Sequence, residues 1–115
     1  MIIKKKKLNT YCFDIDGVIC RTYKNHYKKS KPIFSSIDKI NELYLSGNRI
    51  ILFTSRFMGR SGEKVSLAKK KGYNLTIKQL TKWKVKFDKL IFGKPSYDFI
   101  IDDKSIDFKD WVNNI

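Results

Sequence analysis

The apolar run Tyr11-Cys12-Phe13 stops at Asp14-Ile15-Asp16-Gly17, and this junction restricts the fold more than any other feature of the chain. Two carboxylates one residue apart cannot lie inside a buried strand, because an unpaired buried charge is costly or titrates to its neutral form. They belong where a strand opens into a loop, available to a cation or a reacting group. A second acidic pair, Asp102-Asp103, closes another apolar run, Phe99-Ile100-Ile101. Two strand ends that each present acids suggest one shared metal site.

The remaining elements follow from periodicity and punctuation. Leu8 to Asp14 reads as a buried strand, and Gly17 to Lys31 as a polar, aromatic loop or short flap. Pro32 suits a first helical turn, Ile33, Ile37, Ile40, Leu43 and Tyr44 recur at helical spacing, and Gly47 stops the helix. Arg49 to Thr54 is a second buried strand. A second helix is expected over Ser61 to Lys71, ended by Gly72. Thr76-Ile77-Lys78-Gln79 matches a capping box that opens a third helix carrying Ile77, Leu80 and Trp83. Lys89 to Phe92 and Asp98 to Ile101 read as two further strands, and Asp107 to Asn114 as a terminal helix.

Apolar strands without polar alternation, separated by helices, predict an α/β fold: a three-layer, Rossmann-like parallel sheet with helices on both faces. Ligands of such sheets collect beyond the carboxyl ends of the strands. Asp14, Asp16, Thr54, Ser55, Lys94, Asp102 and Asp103 all fall at or just after predicted strand ends. Their convergence on one rim is the sequence argument for an active site.

Bulk composition sets outer bounds. A chain of 115 residues is one domain, 1–115, with 42% hydrophobic and 14% aromatic residues, enough for a core. The net charge of +14 is spread as lysine along the chain with no arginine-rich tract, which reads first as a solvated surface. The alternative is an anionic partner such as nucleic acid. Cys12 and Cys20 are too few for a disulfide framework and lack zinc spacing. No apolar stretch reaches the roughly 18 residues of a membrane span. The basic run Lys4 to Lys7 precedes a segment interrupted by Asp14 and Asp16, which is not the pattern of a signal peptide. No membrane association and a cytoplasmic location are the simplest expectations.

Four segments, taken in order, carry a resemblance. Asp14-Ile15-Asp16-Gly17-Val18, Leu52-Phe53-Thr54-Ser55-Arg56, Gly93-Lys94-Pro95 and Ile101-Asp102-Asp103-Lys104 resemble the four motifs of the haloacid dehalogenase superfamily of phosphohydrolases. Phe92 to Lys104 is most similar to small, capless members often associated with capsule or surface-polysaccharide gene clusters. One departure is Lys84 after Trp83, where such relatives often carry a helix-ending glycine. The intervals between the motifs are filled by the helices and strands already named, leaving no room for a cap domain. An open site would then depend on the 18–31 flap, on another subunit of a homo-oligomer, or on a large substrate to exclude water.

The resemblance implies roles residue by residue. Asp14 would be the nucleophile that forms an aspartyl-phosphate, and Asp16 the acid and base that serves the leaving alcohol and the hydrolytic water. Thr54 would hold the phosphate and Lys94 neutralise its charge, with Ser55 and Arg56 at the substrate. Mg²⁺ suits such an all-oxygen site, with Asp14 and Asp102 as side-chain ligands, Asp16 through its carbonyl, and Asp103 directly or through water. For Arg56 a solvated surface role is equally compatible; Arg60 and His26 read better as surface residues. The implied activity is Mg²⁺-dependent hydrolysis of a small phosphorylated metabolite, a sugar or polyol phosphate. Two alternatives stay open: a polynucleotide end phosphatase, and a non-enzymatic basic nucleic-acid-binding module on the same fold.

Overall fold

The computed structural model describes residues 8–113. In chain order the strands are β1 (Thr10–Phe13), β2 (Cys20–Arg21), β3 (Lys31–Pro32), β4 (Arg49–Thr54) and β5 (Lys89–Phe92). The helices are α1 (Phe34–Leu45), α2 (Val65–Lys82) and α3 (Phe108–Asn113), with 3₁₀ turns at Tyr27–Lys29 and Gly59–Ser61. β1, β4 and β5 form a parallel sheet with β4 in the centre. Phe13 lies beside Leu52, and Thr54 beside Phe92. The result is an α/β fold with a small parallel sheet and three helices.

The central strand alternates strictly, with Ile50, Leu52 and Thr54 on the buried face, and the same stripe continues beyond it through Arg56 and Met58. Ile50 and Leu52 meet Ile37 and Ile40 of α1, Ile15 and Ile19 of the first loop, and Leu80 of α2 in one apolar cluster. Trp111 of α3 closes it, its ring edge-on to Phe13 with centroids 5.1 Å apart. Among the described residues, no helix is long and apolar enough to cross a membrane.

The segment between β1 and α1 is tied down rather than loose. Ile15 O accepts the amides of Val18, Ile19 and Cys20, and the Ile33 amide donates to Ile19 O at 2.8 Å. The expected flap is therefore a short antiparallel ribbon, Cys20 opposite Pro32, with the 3₁₀ turn Tyr27–Lys29 at its far end. Pro32 belongs to this ribbon and not to the first turn of α1, which begins at Phe34.

Two further expectations fail for identifiable reasons. Gly72 does not end a helix and Thr76 does not begin one: both lie inside the continuous α2. A β-carbon at Gly72 would overlap the Phe57 ring, with Cε2 only 2.8 Å away. The glycine is a slot for an aromatic ring, a long-range demand that outweighs its usual role as a helix stop. The second failure is the strand expected over Asp98 to Ile101, which is irregular coil. Phe99 and Ile101 are 89% and 99% exposed. Apolar character creates a β preference, but a strand also needs a ladder partner, and this segment has none among the described residues.

Candidate active site

The central observation is an ion pair between the two outer strands. Asp14 follows β1 immediately, Lys94 comes two residues after β5, and Lys94 Nζ lies 3.3 Å from Asp14 Oδ2. Because β4 separates those strands, the contact closes over the end of β4, where Thr54 sits.

Backbone constraints place Lys94. The amides of Gly93 and Lys94 both donate to Thr54 O, at 3.2 and 3.1 Å. Gly93 has φ +107°, and a β-carbon there would come within 2.9 Å of both Val65 methyls, so only glycine allows the chain to pass. Just beyond, the Ser96 amide and hydroxyl donate to the Glu63 carboxylate at 3.0 and 3.2 Å. The Tyr97 ring lies 5.1 Å from the Lys94 ammonium.

The electrostatics of the pair oppose one another. Burial pushes the Asp14 carboxyl above its ordinary range; the Lys94 charge and the Ile15 amide pull it back without cancelling the effect. For Lys94, burial works downward, but the Tyr97 hydroxyl and the Asp14 charge outweigh it and the ammonium is held above its ordinary value. Asp14 remains one-third exposed at its side chain, so an incoming group can reach it. Thr54 is fully buried, and its hydroxyl accepts the Arg56 amide at 3.0 Å. Ser55 is half-buried, its carbonyl accepting the Met58 amide.

Asp16 and Arg56 form a separate network. Arg56 Nε donates to Asp16 Oδ2 at 2.9 Å and Nη2 to Oδ1 at 3.0 Å, a bidentate clasp with the guanidinium wholly buried. Nη1 donates to Gln79 Oε1 at 2.5 Å and to Thr76 Oγ1 at 3.3 Å, and Nη2 also reaches Ser30 Oγ. Gln79 in turn donates to Tyr27 O at 2.6 Å. Arg56 is therefore neither a solvated side chain nor turned out toward a substrate: it ties the β1 loop and the ribbon to α2. Thr76 and Gln79, three apart on one helix face, accept its protons instead of capping a helix. The signal for this role was present in the sequence, since Arg56 continues the alternating buried stripe of β4.

Asp102 and Asp103 do not join the rim in this arrangement. Both are exposed in the coil after β5. Asp102 Oδ1 accepts the Lys104 amide at 2.9 Å, and this bond, with other neighbouring contacts, pulls its carboxyl below the ordinary range. Among the described residues, no three His, Cys, Asp or Glu side chains come together as a metal-holding group. Asp14 offers one accessible carboxylate, while both oxygens of Asp16 are engaged by Arg56. As arranged, these donors do not fit the Mg²⁺ set that the sequence motifs imply.

Comparison with known proteins bears on the fold alone. No family model matches the chain, and no curated protein matches it. The crystal structure of an MCSG target from Vibrio cholerae is similar, with TM-score 0.85 and 22% sequence identity over 92% of this chain and 89% of that one. The three-strand sheet and its helices are thus an arrangement that a solved protein also adopts.

Proposed function

We propose that this chain hydrolyses phosphomonoesters in the manner of the haloacid dehalogenase superfamily, on the capless, three-layer version of that fold. The observation that supports this most is the Asp14–Lys94 pair closing over the end of β4. A nucleophilic carboxylate beside a cation at one rim is what attack on a phosphate needs, and Thr54 lies buried beneath the pair.

Asp14 attacks phosphorus and the bond to the alkoxy leaving group breaks. That oxygen takes a proton from Asp16, and a water molecule, deprotonated by Asp16, then cleaves the aspartyl-phosphate to release phosphate. Lys94 offsets charge on the transferring group throughout. The role of Asp16 requires one Arg56 hydrogen bond to give way. Arg56 is a positioning residue in this scheme. Mg²⁺ is included in the assay because the sequence motifs resemble those of Mg²⁺-dependent phosphohydrolases, although the donors as arranged here do not form its site. The proposed substrate is a small sugar or polyol phosphate, reached through an open rim.

The test is phosphate release from a generic aryl phosphate and a panel of sugar phosphates, with Mg²⁺ and with a chelator. Asp14→Asn is expected to abolish turnover while leaving the thermal transition in place. Residual activity in that variant would mean another nucleophile. Preference for 3′-phosphorylated oligonucleotides over every sugar phosphate would replace the substrate class with polynucleotide ends.

A further inference from the structure

A cleft of about 610 Å³ opens between the tip of the ribbon, the loop after β4 and the middle of α2. That volume falls in the ordinary range for small-ligand sites, roughly 300–1,000 Å³. Lys28, Lys29, Arg60 and Lys71 line it with four formal positive charges, and His26 adds a further nitrogen base. Among the described residues, no Asp or Glu lines it. Among the described residues, none of these cations has a carboxylate within ion-pair distance. Cations gathered from three separate segments with no counter-charge focus a positive potential on the space between them.

The cleft is built and braced. Phe57, at φ +64°, holds a left-handed backbone that costs a non-glycine residue energy, and its ring drops into the slot at Gly72. The Tyr27 and Phe57 rings pack at 4.8 Å, and the Arg60 guanidinium lies 5.2 and 5.1 Å from their centroids. Arg60 also donates to Asn25 O at 2.5 Å, and Lys71 donates to Arg60 O at 3.2 Å. A planar guanidinium held against rings retains outward N–H groups suited to phosphate oxygens. Since Arg60 already occupies the rings, they do not form a bare stacking platform of the kind that single-stranded nucleic acid uses.

We infer that this cleft is a binding site for a small, multiply phosphorylated anion, recognised through its phosphate oxygens by Arg60, Lys71, Lys28 and Lys29. None of its lining residues belongs to the Asp14–Lys94–Thr54 cluster, so the inference stands whether or not the rim hydrolyses phosphomonoesters.

The probe is inorganic tripolyphosphate, titrated calorimetrically at ~0.1 M salt, where charges beyond about 10 Å are screened. The intact protein is expected to bind one equivalent saturably. Lys28→Ser/Lys29→Ser and Arg60→Ala/Lys71→Ala are each expected to weaken binding about tenfold or more. Lys28 and Lys29 are exposed, so the first variant reports on the site even if loss of Arg60 disturbs the ribbon. Lys82→Ser/Lys86→Ser removes equal charge outside the cleft and should leave affinity within about twofold. Equal weakening in that control would reduce the effect to net charge and overturn the inference. Loss of binding in Lys94→Ala with retention in the Lys28/Lys29 variant would place the probe at the rim and overturn it too. Absence of saturable binding at millimolar probe, or displacement of the probe by much tighter binding of a short single-stranded oligonucleotide, would likewise refute it.

Discussion

Asp14 is the residue on whose environment the proposed hydrolysis depends most. In the proposed hydrolysis Asp14 would react in its ionised form, and burial raises the pH at which that form appears, with Lys94 opposing the rise. The acid limb of kcat/KM is therefore expected above the ordinary aspartate range, and Lys94→Ala should move it to still higher pH while lowering the plateau ~10²–10³-fold. A limb that stays in place in Lys94→Ala would mean that the pair does not govern the nucleophile. The same shift affects stability: a carboxyl whose folded value is raised favours the fold at low pH and loses that contribution as pH rises through the raised value. Arg56 presents the opposite case, a charge already committed. Arg56→Met should cost about 3–5 kcal/mol in denaturant unfolding, because Asp16, Thr76 and Gln79 lose their partner together. An unchanged midpoint would show the clasp to be dispensable. The clasp spans residues 16 and 56, and nothing local to either position names the other.

At the scale of elements, local rules succeeded where the deciding forces were local. Arg49–Thr54 and Lys89–Phe92 are short apolar runs bounded by breakers, and both are strands with those bounds. The periodic face of α1 and the glycine after it were equally legible. α2 was not, because Gly72 answers to a ring fifteen residues earlier rather than to its own helix. That account can be checked. Gly72→Ala gains up to about 1 kcal/mol of helix propensity but forces an overlap with Phe57 that costs roughly 1–3 kcal/mol. The variant is expected to be less stable by thermal unfolding, and a stabilised one would contradict the slot. The strand-end rule placed Asp14, Lys94 and Thr54 together, as the structure does; for Asp102 and Asp103 it relied on a strand that is not formed.

Across the whole molecule, the irregular stretch after the rim is the part that departs most from a packed globule. Phe99 and Ile101 are almost fully in water. Phe99→Ser/Ile101→Ser is therefore expected to leave unfolding free energy within about 0.5 kcal/mol of the parent. A loss several times larger would mean that these side chains pack as the strand their sequence suggests, carrying Asp102 and Asp103 with them. The positive charge is likewise uneven in its effect: Lys28, Lys29, Arg60 and Lys71 converge on the ribbon-side cleft.

Neighbouring strands run about 4.8 Å apart, so residues leaving the two margins of a three-strand sheet start roughly twice that distance from each other. Only a side chain with the reach of lysine can cross such a gap and still place its head against a carboxylate. The width of the sheet thus sets a minimum length for the cation at position 94, and a shorter amine there would stop short of Asp14.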